Sequence, residues 1–268
     1  MRRRILGGYG VLLLGAVVLL ATRTEPIKKS PWFRPPEEAL IPAGRFVYER
    51  NCLVCHGRWG DGKGELTPGM WPPPRKLSAG VFKYRTTPSG ALPADADLER
   101  TIRNGIYGSS MPVFDQLEDR EIRAVISYLK TFSSKWDKPQ NFAAPLPFPN
   151  APAWLADESE LAQHALKGGP IFRQDCAACH GATGKGDGPA AAALEDDWGQ
   201  PAKPTDLGLP ALHSGPDLRD IYKVLVTGLN GTPMPSFLES TTETERWDLV
   251  AYIETLRQAA KRETKAAN

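Results

Sequence analysis

The chain is poor in residues that build covalent scaffolds. Four cysteines in 268 residues are too few for a disulfide-stapled fold of this length. An excess of one charge sign is also lacking. The 33 basic and 31 acidic side chains leave a net charge of +2, and no basic face suited to nucleic acid stands out. The two-residue alternation of half-buried strands is missing. A single long apolar run, at the N-terminus, excludes a multi-span membrane protein, while 41% hydrophobic and 24% charged residues exclude wholesale disorder. Histidine and methionine are scarce, with four of each, so every one of them carries information. Glycine and proline are plentiful instead, at 25 residues each, which points to loop-rich domains with few long elements. At about 150 residues per domain, the length suits two domains.

Charge becomes informative when divided by region. Residues 1–36 carry seven basic and one acidic side chains, whereas residues 159–262 carry 10 basic and 14 acidic ones. The basic excess is therefore N-terminal, where Arg2, Arg3 and Arg4 precede the uncharged stretch Ile5 to Ala21. Basic residues before an apolar run commit a chain to the membrane with its N-terminus inside. The run of 17 residues is longer than the hydrophobic part of a removed signal and near the short limit of a membrane span. Leu19 spoils the small-x-small pattern a signal peptidase needs before Ala21. Residues 1–24 are therefore expected to be a single transmembrane signal-anchor rather than a cleaved leader, with the rest of the chain outside the cytoplasm.

An internal repeat organises the remainder of the chain. Cys52-Leu53-Val54-Cys55-His56 recurs as Cys176-Ala177-Ala178-Cys179-His180, offset by 124 residues. The same offset relates Gly44 to Gly168, Tyr48 to Phe172 and Tyr128 to Tyr252. Met111-Pro112-Val113-Phe114 recurs as Met234-Pro235-Ser236-Phe237, each six residues after a glycine, Gly105 or Gly228. Two copies of one domain are expected at 38–137 and 159–262. A tether at 25–37, a Pro-rich spacer at 138–158 and a frayed polar tail at 263–268 complete the division. The spacer holds five prolines between Pro139 and Pro152, a composition that favours extended, semi-rigid chain. Within each copy the pattern gives only helix and loop. One helix leads into each cysteine motif and a second stops at Gly105 or Gly228. A third spans about 119–132, with Ile122, Val125, Ile126 and Leu129 on one face. Its counterpart begins at a Thr242–Glu245 capping box.

Cys-x-x-Cys-His is the attachment sequence of c-type haem. Cysteines at i and i+3 on a helical turn set two sulfurs on one side, where both can form thioethers with the vinyl groups. Histidine at i+4 then reaches the iron from the same face. A thioredoxin-like dithiol would need a βαβ context, which is missing. One zinc site made from all four cysteines would leave both histidines unexplained. Two covalently attached haem c groups are the expected cofactors, bound through Cys52, Cys55, His56, Cys176, Cys179 and His180.

The ligand opposite histidine decides what a haem does. A methionine there fills the last position and suits electron transfer, whereas an open position suits binding or chemistry. Met111 lies 55 residues after His56, and Met234 lies 54 after His180; their shared place in both copies marks them as the expected iron ligands. Met70, beside Trp71 and three prolines, has no counterpart and reads as packing at the haem edge. His164 and His213 are expected at the surface, with His213 an alternative ligand to the second iron.

With these motifs and a C-terminal helix bearing tyrosine, each copy resembles a class I cytochrome c domain, and the region 38–258 resembles a tandem diheme cytochrome c. Asp61-Gly62-Lys63-Gly64 and Gly186-Asp187-Gly188 resemble the glycine-rich turn that comes after the haem motif in such domains. The resemblance implies an all-α, loop-rich fold whose N-terminal helix crosses the C-terminal one, with Gly44, Gly168, Tyr48 and Phe172 near Tyr128 and Tyr252. It also implies a proline carbonyl accepting the N–H of each haem-ligating histidine, from Pro72–Pro74 in one copy and Pro201 or Pro204 in the other. The function expected is single-electron transfer between respiratory redox partners by a diheme cytochrome tethered to the inner membrane, its haem domains on the periplasmic side. An electron-transfer subunit within a larger membrane respiratory or molybdoenzyme complex is the alternative. A diheme peroxidase is a further one, disfavoured by duplicate methionine ligands. No catalysis by the chain itself and no nucleic-acid partner are expected.

Overall fold

A computed structural model describes residues 31–267. The expected membrane segment, residues 1–24, lies outside the described residues. Among the described residues no helix is long and apolar enough to cross a membrane. They contain eight α-helices, several short 3-10 turns and no strand, only two isolated bridges.

The first half comprises α1 (Ile41–Asn51), α2 (Leu53–His56), α3 (Asp95–Asn104) and α4 (Asp119–Lys130). The second repeats the order with α5 (Glu158–Asp175), α6 (Ala177–His180), α7 (Leu218–Thr227) and α8 (Glu243–Ala267). In each half the first and last long helices pack together, α1 on α4 and α5 on α8. Glycine makes the close crossing possible. A Cβ on Gly44 would collide with the Ala124 carbonyl, and one on Gly168 with the Asp248 carbonyl. Aromatic residues fill the same crossing: Tyr48 and Tyr128 have ring centroids 5.3 Å apart, and Phe172 and Tyr252 are at 5.0 Å.

The apolar stripes read from the sequence are the faces that go inward. Ile122, Val125, Ile126 and Leu129 of α4 are buried with Val47 and Tyr48 of α1. Leu249 and Ile253 of α8 are buried with Phe172, Ile221 and Leu225. Helix starts and stops obey local chemistry. Glu245 Oε2 accepts from the Thr242 amide at 2.7 Å, and the Glu245 amide donates to Thr242 Oγ1 at 3.2 Å, the reciprocal pattern of a capping box. α3 and α7 stop at Gly105 and Gly228.

Two segments differ from expectation. α8 continues to Ala267, so residues read as a frayed tail prolong a helix. The Pro-rich segment is not a free spacer but a strap laid over both halves. Leu146 N donates to Thr86 O and Leu92 N to Asn141 O, both at 2.8 Å. Arg219 on α7 donates to the Phe148 and Pro149 carbonyls, and Leu146 and Phe148 pack on the second core. Proline-flanked carbonyls lack competing donors nearby, so an arginine fork can take two in succession.

The halves also lock directly. Arg85, only 2% exposed, donates to Thr227 O at 2.6 Å and Gly228 O at 3.4 Å. These carbonyls end α7, where the helix dipole is negative and a cation is favoured. Burial lowers the Arg85 pKa to about 10, which still leaves the guanidinium charged at neutral pH. Asn230 adds an acceptor to Gly90 N and Ser89 Oγ. The sequence carries no signal for this lock, because Arg85 and Thr227 stand 142 residues apart and neither is among the residues matched between the two copies.

Because the crossing leaves no room for a side chain, Gly168→Ala is expected to cost on the order of 1–3 kcal/mol by overpacking. Thermal melting monitored at the second half should show a lowered Tm; an unchanged Tm would mean that the crossing is not tight.

Candidate haem sites

The cysteine motifs occupy equivalent short turns. α1 ends at Asn51 and α5 at Asp175, and the next residue in each case, Cys52 or Cys176, starts the turn that carries the second cysteine and the histidine. A glycine ends each turn at positive φ, Gly57 at 77° and Gly181 at 78°, a conformation that side chains bearing a Cβ resist. The glycine-rich segment then folds back on the motif through matching amide bonds. Gly62 N donates to His56 O and Gly64 N to Cys55 O; Gly186 N donates to His180 O and Gly188 N to Cys179 O. In the first half, the Tyr48 hydroxyl also donates to Gly57 O at 2.7 Å. Phe172, its counterpart, has no hydroxyl to do so.

The methionine loops are likewise built alike. Ile106 N donates to Met111 O, and Leu229 N donates to Met234 O, both at 3.1 Å. Ser109 Oγ accepts from Met111 N, and Thr232 Oγ1 accepts from Met234 N. Downstream, Arg103 holds the Leu117 carbonyl while Arg246 donates to the Leu238 carbonyl and contacts Thr241 O. Each loop is thus fixed by backbone bonds at one end and an arginine at the other.

The cysteine motifs and the methionine loops line one cavity of about 1470 Å³, larger than the roughly 300–1,000 Å³ of a usual single-ligand pocket. Cys52, Cys55, His56 and Met111 line it from one half, and Cys176, Cys179, His180 and Met234 from the other. Ile102, Phe114, Leu225, Phe237 and Ile253 give it apolar walls. Met70 and Trp71 also line it. So does His213, which is half-buried against the Tyr107 carbonyl of the first half rather than simply at the surface. His164 is elsewhere. It pairs with Asp248 at 2.5 Å and stacks on Trp154 with centroids 3.6 Å apart, so it too differs from the surface residue expected.

The electrostatics suit a metalloporphyrin. Burial pushes the His56 and His180 pKa values down, which keeps both imidazoles neutral as a metal ligand requires. His56 Nδ1 lies 3.2 Å from Arg75 O; a carbonyl only accepts, so the hydrogen sits on Nδ1 and the Nε2 lone pair is free. His180 Nδ1 is buried without a partner of good geometry, although the Thr205 carbonyl is near enough to favour its protonated form. These acceptors correct an expectation. They belong to the residues after Pro74 and Pro204, not to prolines. The proline carbonyls are turned onto the glycine-rich segment, where a Cβ on Gly62 or Gly186 would strike them. Burial raises the thiols of Cys52 and Cys176 to about 12, the opposite of the thiolate character that dithiol redox chemistry or zinc binding exploits. Among the described residues no three His, Cys, Asp or Glu side chains converge as a metal-ion site.

Comparison with known proteins agrees with this geometry. Residues 165–257 match the family model "Cytochrome c", and residues 39–129 match "Cytochrome C oxidase, cbb3-type, subunit III". The cytochrome bc1 complex cytochrome c subunits of Mycobacterium tuberculosis and Mycobacterium bovis are 25% identical over 271 residues, covering 97% of this chain and 79% of theirs. That of Mycobacterium leprae is 24% identical over 252 residues, with 92% and 73% covered. A chain of the Kuenenia stuttgartiensis reducing HAO-like protein complex superposes with a TM-score of 0.72 at 39% identity, covering 80% of this chain and 95% of that one. The chain belongs to the tandem diheme c-type cytochromes. It is a haem electron-transfer protein that carries two covalently bound haem c groups.

The large apolar cavity should make haem attachment and folding inseparable, because a domain of about 100 residues has little core to spare. Replacing Cys176 and Cys179 together by alanine is expected to halve the pyridine-haemochrome absorbance per chain and to remove the cooperative melt of the second half. Retention of that melt would show that the fold stands without its haem.

Proposed function

We propose that the chain is the haem c electron-transfer subunit of a membrane-associated respiratory complex, anchored by residues 1–24 with both domains on the periplasmic side. Four ligands are assigned: His56 and Met111 to the first iron, His180 and Met234 to the second. The observation that carries this reading is the equivalence of the two methionine loops around a shared cavity. Each loop is held by the same backbone bonds and comes after the same glycine-stopped helix. Met70, with no counterpart across the repeat, is left as a cavity-wall residue.

Held by histidine and methionine, each haem would supply one-electron ferric–ferrous exchange and leave no coordination position for a reactant. The chain's own residues supply what that needs. Buried neutral imidazoles offer their Nε2 atoms, the Arg75 carbonyl orients that of His56, and apolar side chains exclude water. Membership in a complex is favoured by the relatives, which are named as subunits of the bc1 complex and as part of the HAO-like assembly. The Arg2–Arg4 triplet and the apolar run after it support the anchor and its direction.

Met111→Ala and Met234→Ala, made singly, are each expected to lower the midpoint potential of one haem and leave the other nearly unchanged, while Met70→Ala changes neither. A loss produced by Met70→Ala instead would reassign the first ligand. Extraction of native membranes in mild detergent should recover the chain with companion subunits. A chain that emerges alone would replace the subunit reading with that of a tethered carrier.

A further inference from the structure

Arg75 stands where the two haem sites meet. Its backbone belongs to the first: its carbonyl accepts from His56 Nδ1. Its side chain belongs to the second: the guanidinium carbon lies 5.0 Å from the ring centroid of Trp198. Trp198 is itself seated in the second half, against Gly231, where a Cβ would strike the indole. Both Arg75 and Trp198 line the shared cavity. Arg75 Nη2 is buried and has no hydrogen-bond partner among the described residues. An orphaned buried guanidinium N–H is costly, and it is an obvious donor for an anionic group that enters. Burial lowers the Arg75 pKa while Asp196 and Asp197 of the second half favour its cation, and Arg75 adds to the burial that drives the Lys83 pKa down to about 8.

We propose that Arg75 is a positioning residue shared by both haem sites, fixing the His56 imidazole through its carbonyl while its guanidinium rests on Trp198 and offers Nη2–H to a haem carboxylate. This rests on the haem assignment above. A cation in the cavity that both haem sites line would favour the reduced form of each haem, since reduction removes a positive charge from it and the repulsion relieved is strong at low dielectric.

 Removing the cation is therefore expected to lower both midpoints, because it relieves the repulsion that the ferric form feels, and a carboxylate left unneutralised pushes in the same direction. The second copy has no equivalent residue: Thr205 stands in the place of Arg75. The device is therefore single, acts across the domain boundary and would be lost if the halves were separated.

The test is potentiometric titration of the haem-loaded protein carrying Arg75→Gln, with Arg75→Lys and Arg85→Gln for comparison. Arg75→Gln is expected to lower both midpoints, and Arg75→Lys to restore them in part. Arg85→Gln, which weakens the domain lock outside the cavity, should lower Tm more than Arg75→Gln does. A first-half midpoint that moves alone, or two midpoints that stay put, would overturn the proposal. So would an Arg75→Gln variant whose potentials and Tm both merely copy those of Arg85→Gln. Should Arg75→Gln fail to load haem, Trp198→Leu keeps the charge but removes its shelf; both midpoints are expected to shift, and unchanged midpoints would count against the idea. The absorption of the methionine–iron bond, recorded on the same samples, separates the two readings. Its absence from wild-type protein would fault the ligand assignment, whereas its persistence beside unmoved midpoints would fault only the role of Arg75.

Discussion

The constraint on which the architecture depends is the apolar cavity that neither half closes alone. A chain with this much glycine and proline forms short helices joined by long loops, and such loops cannot fill their own interior. Each half solves the problem in the same way. Two helices cross at a glycine, a short turn presents the cysteines and histidine, and an arginine-braced loop presents a methionine. What remains between them is one largely apolar cavity that both halves line. Burial of the histidines, the raised thiols of Cys52 and Cys176, and the free N–H of Arg75 are consequences of the same apolar enclosure.

Much of this was legible in the sequence because it is local or repeated. The cysteine–histidine spacing, the glycine stops, the Thr242–Glu245 cap and the apolar stripe of α4 each lie within a few residues. The pairing of Met111 with Met234 needed only the comparison of two copies. Legibility ended where partners are distant and unrepeated. The Arg85 lock joins residues 142 apart, and Arg75 reaches Trp198 in the other half. The Pro-rich strap reads as a spacer because composition reports its stiffness but not the arginine that holds it. The histidine acceptors shifted by one residue for a steric reason: the glycine-rich segment presses on the proline carbonyls and leaves the next carbonyl to the imidazole.

The departures from repeat symmetry have functional weight. The first half has a tyrosine hydroxyl on Gly57 and a bonded His56; the second has phenylalanine and an under-satisfied His180. Hydrogen bonding to the distal side of a ligating imidazole raises its basicity and tunes the metal. Two haems in similar scaffolds would thus acquire different potentials, which gives a direction to electron flow within one chain. The shared cavity keeps the two sites together, and the strap and Arg85 keep their separation fixed.

On the proposed ligands, the fully oxidised protein would hold two haems without an open coordination position in one enclosure. Electron paramagnetic resonance of the resting ferric protein tests this most directly. Two low-spin signals that broaden one another are expected, each equal to one spin per chain. A substantial high-spin signal, or two low-spin signals with no mutual influence, would contradict the account.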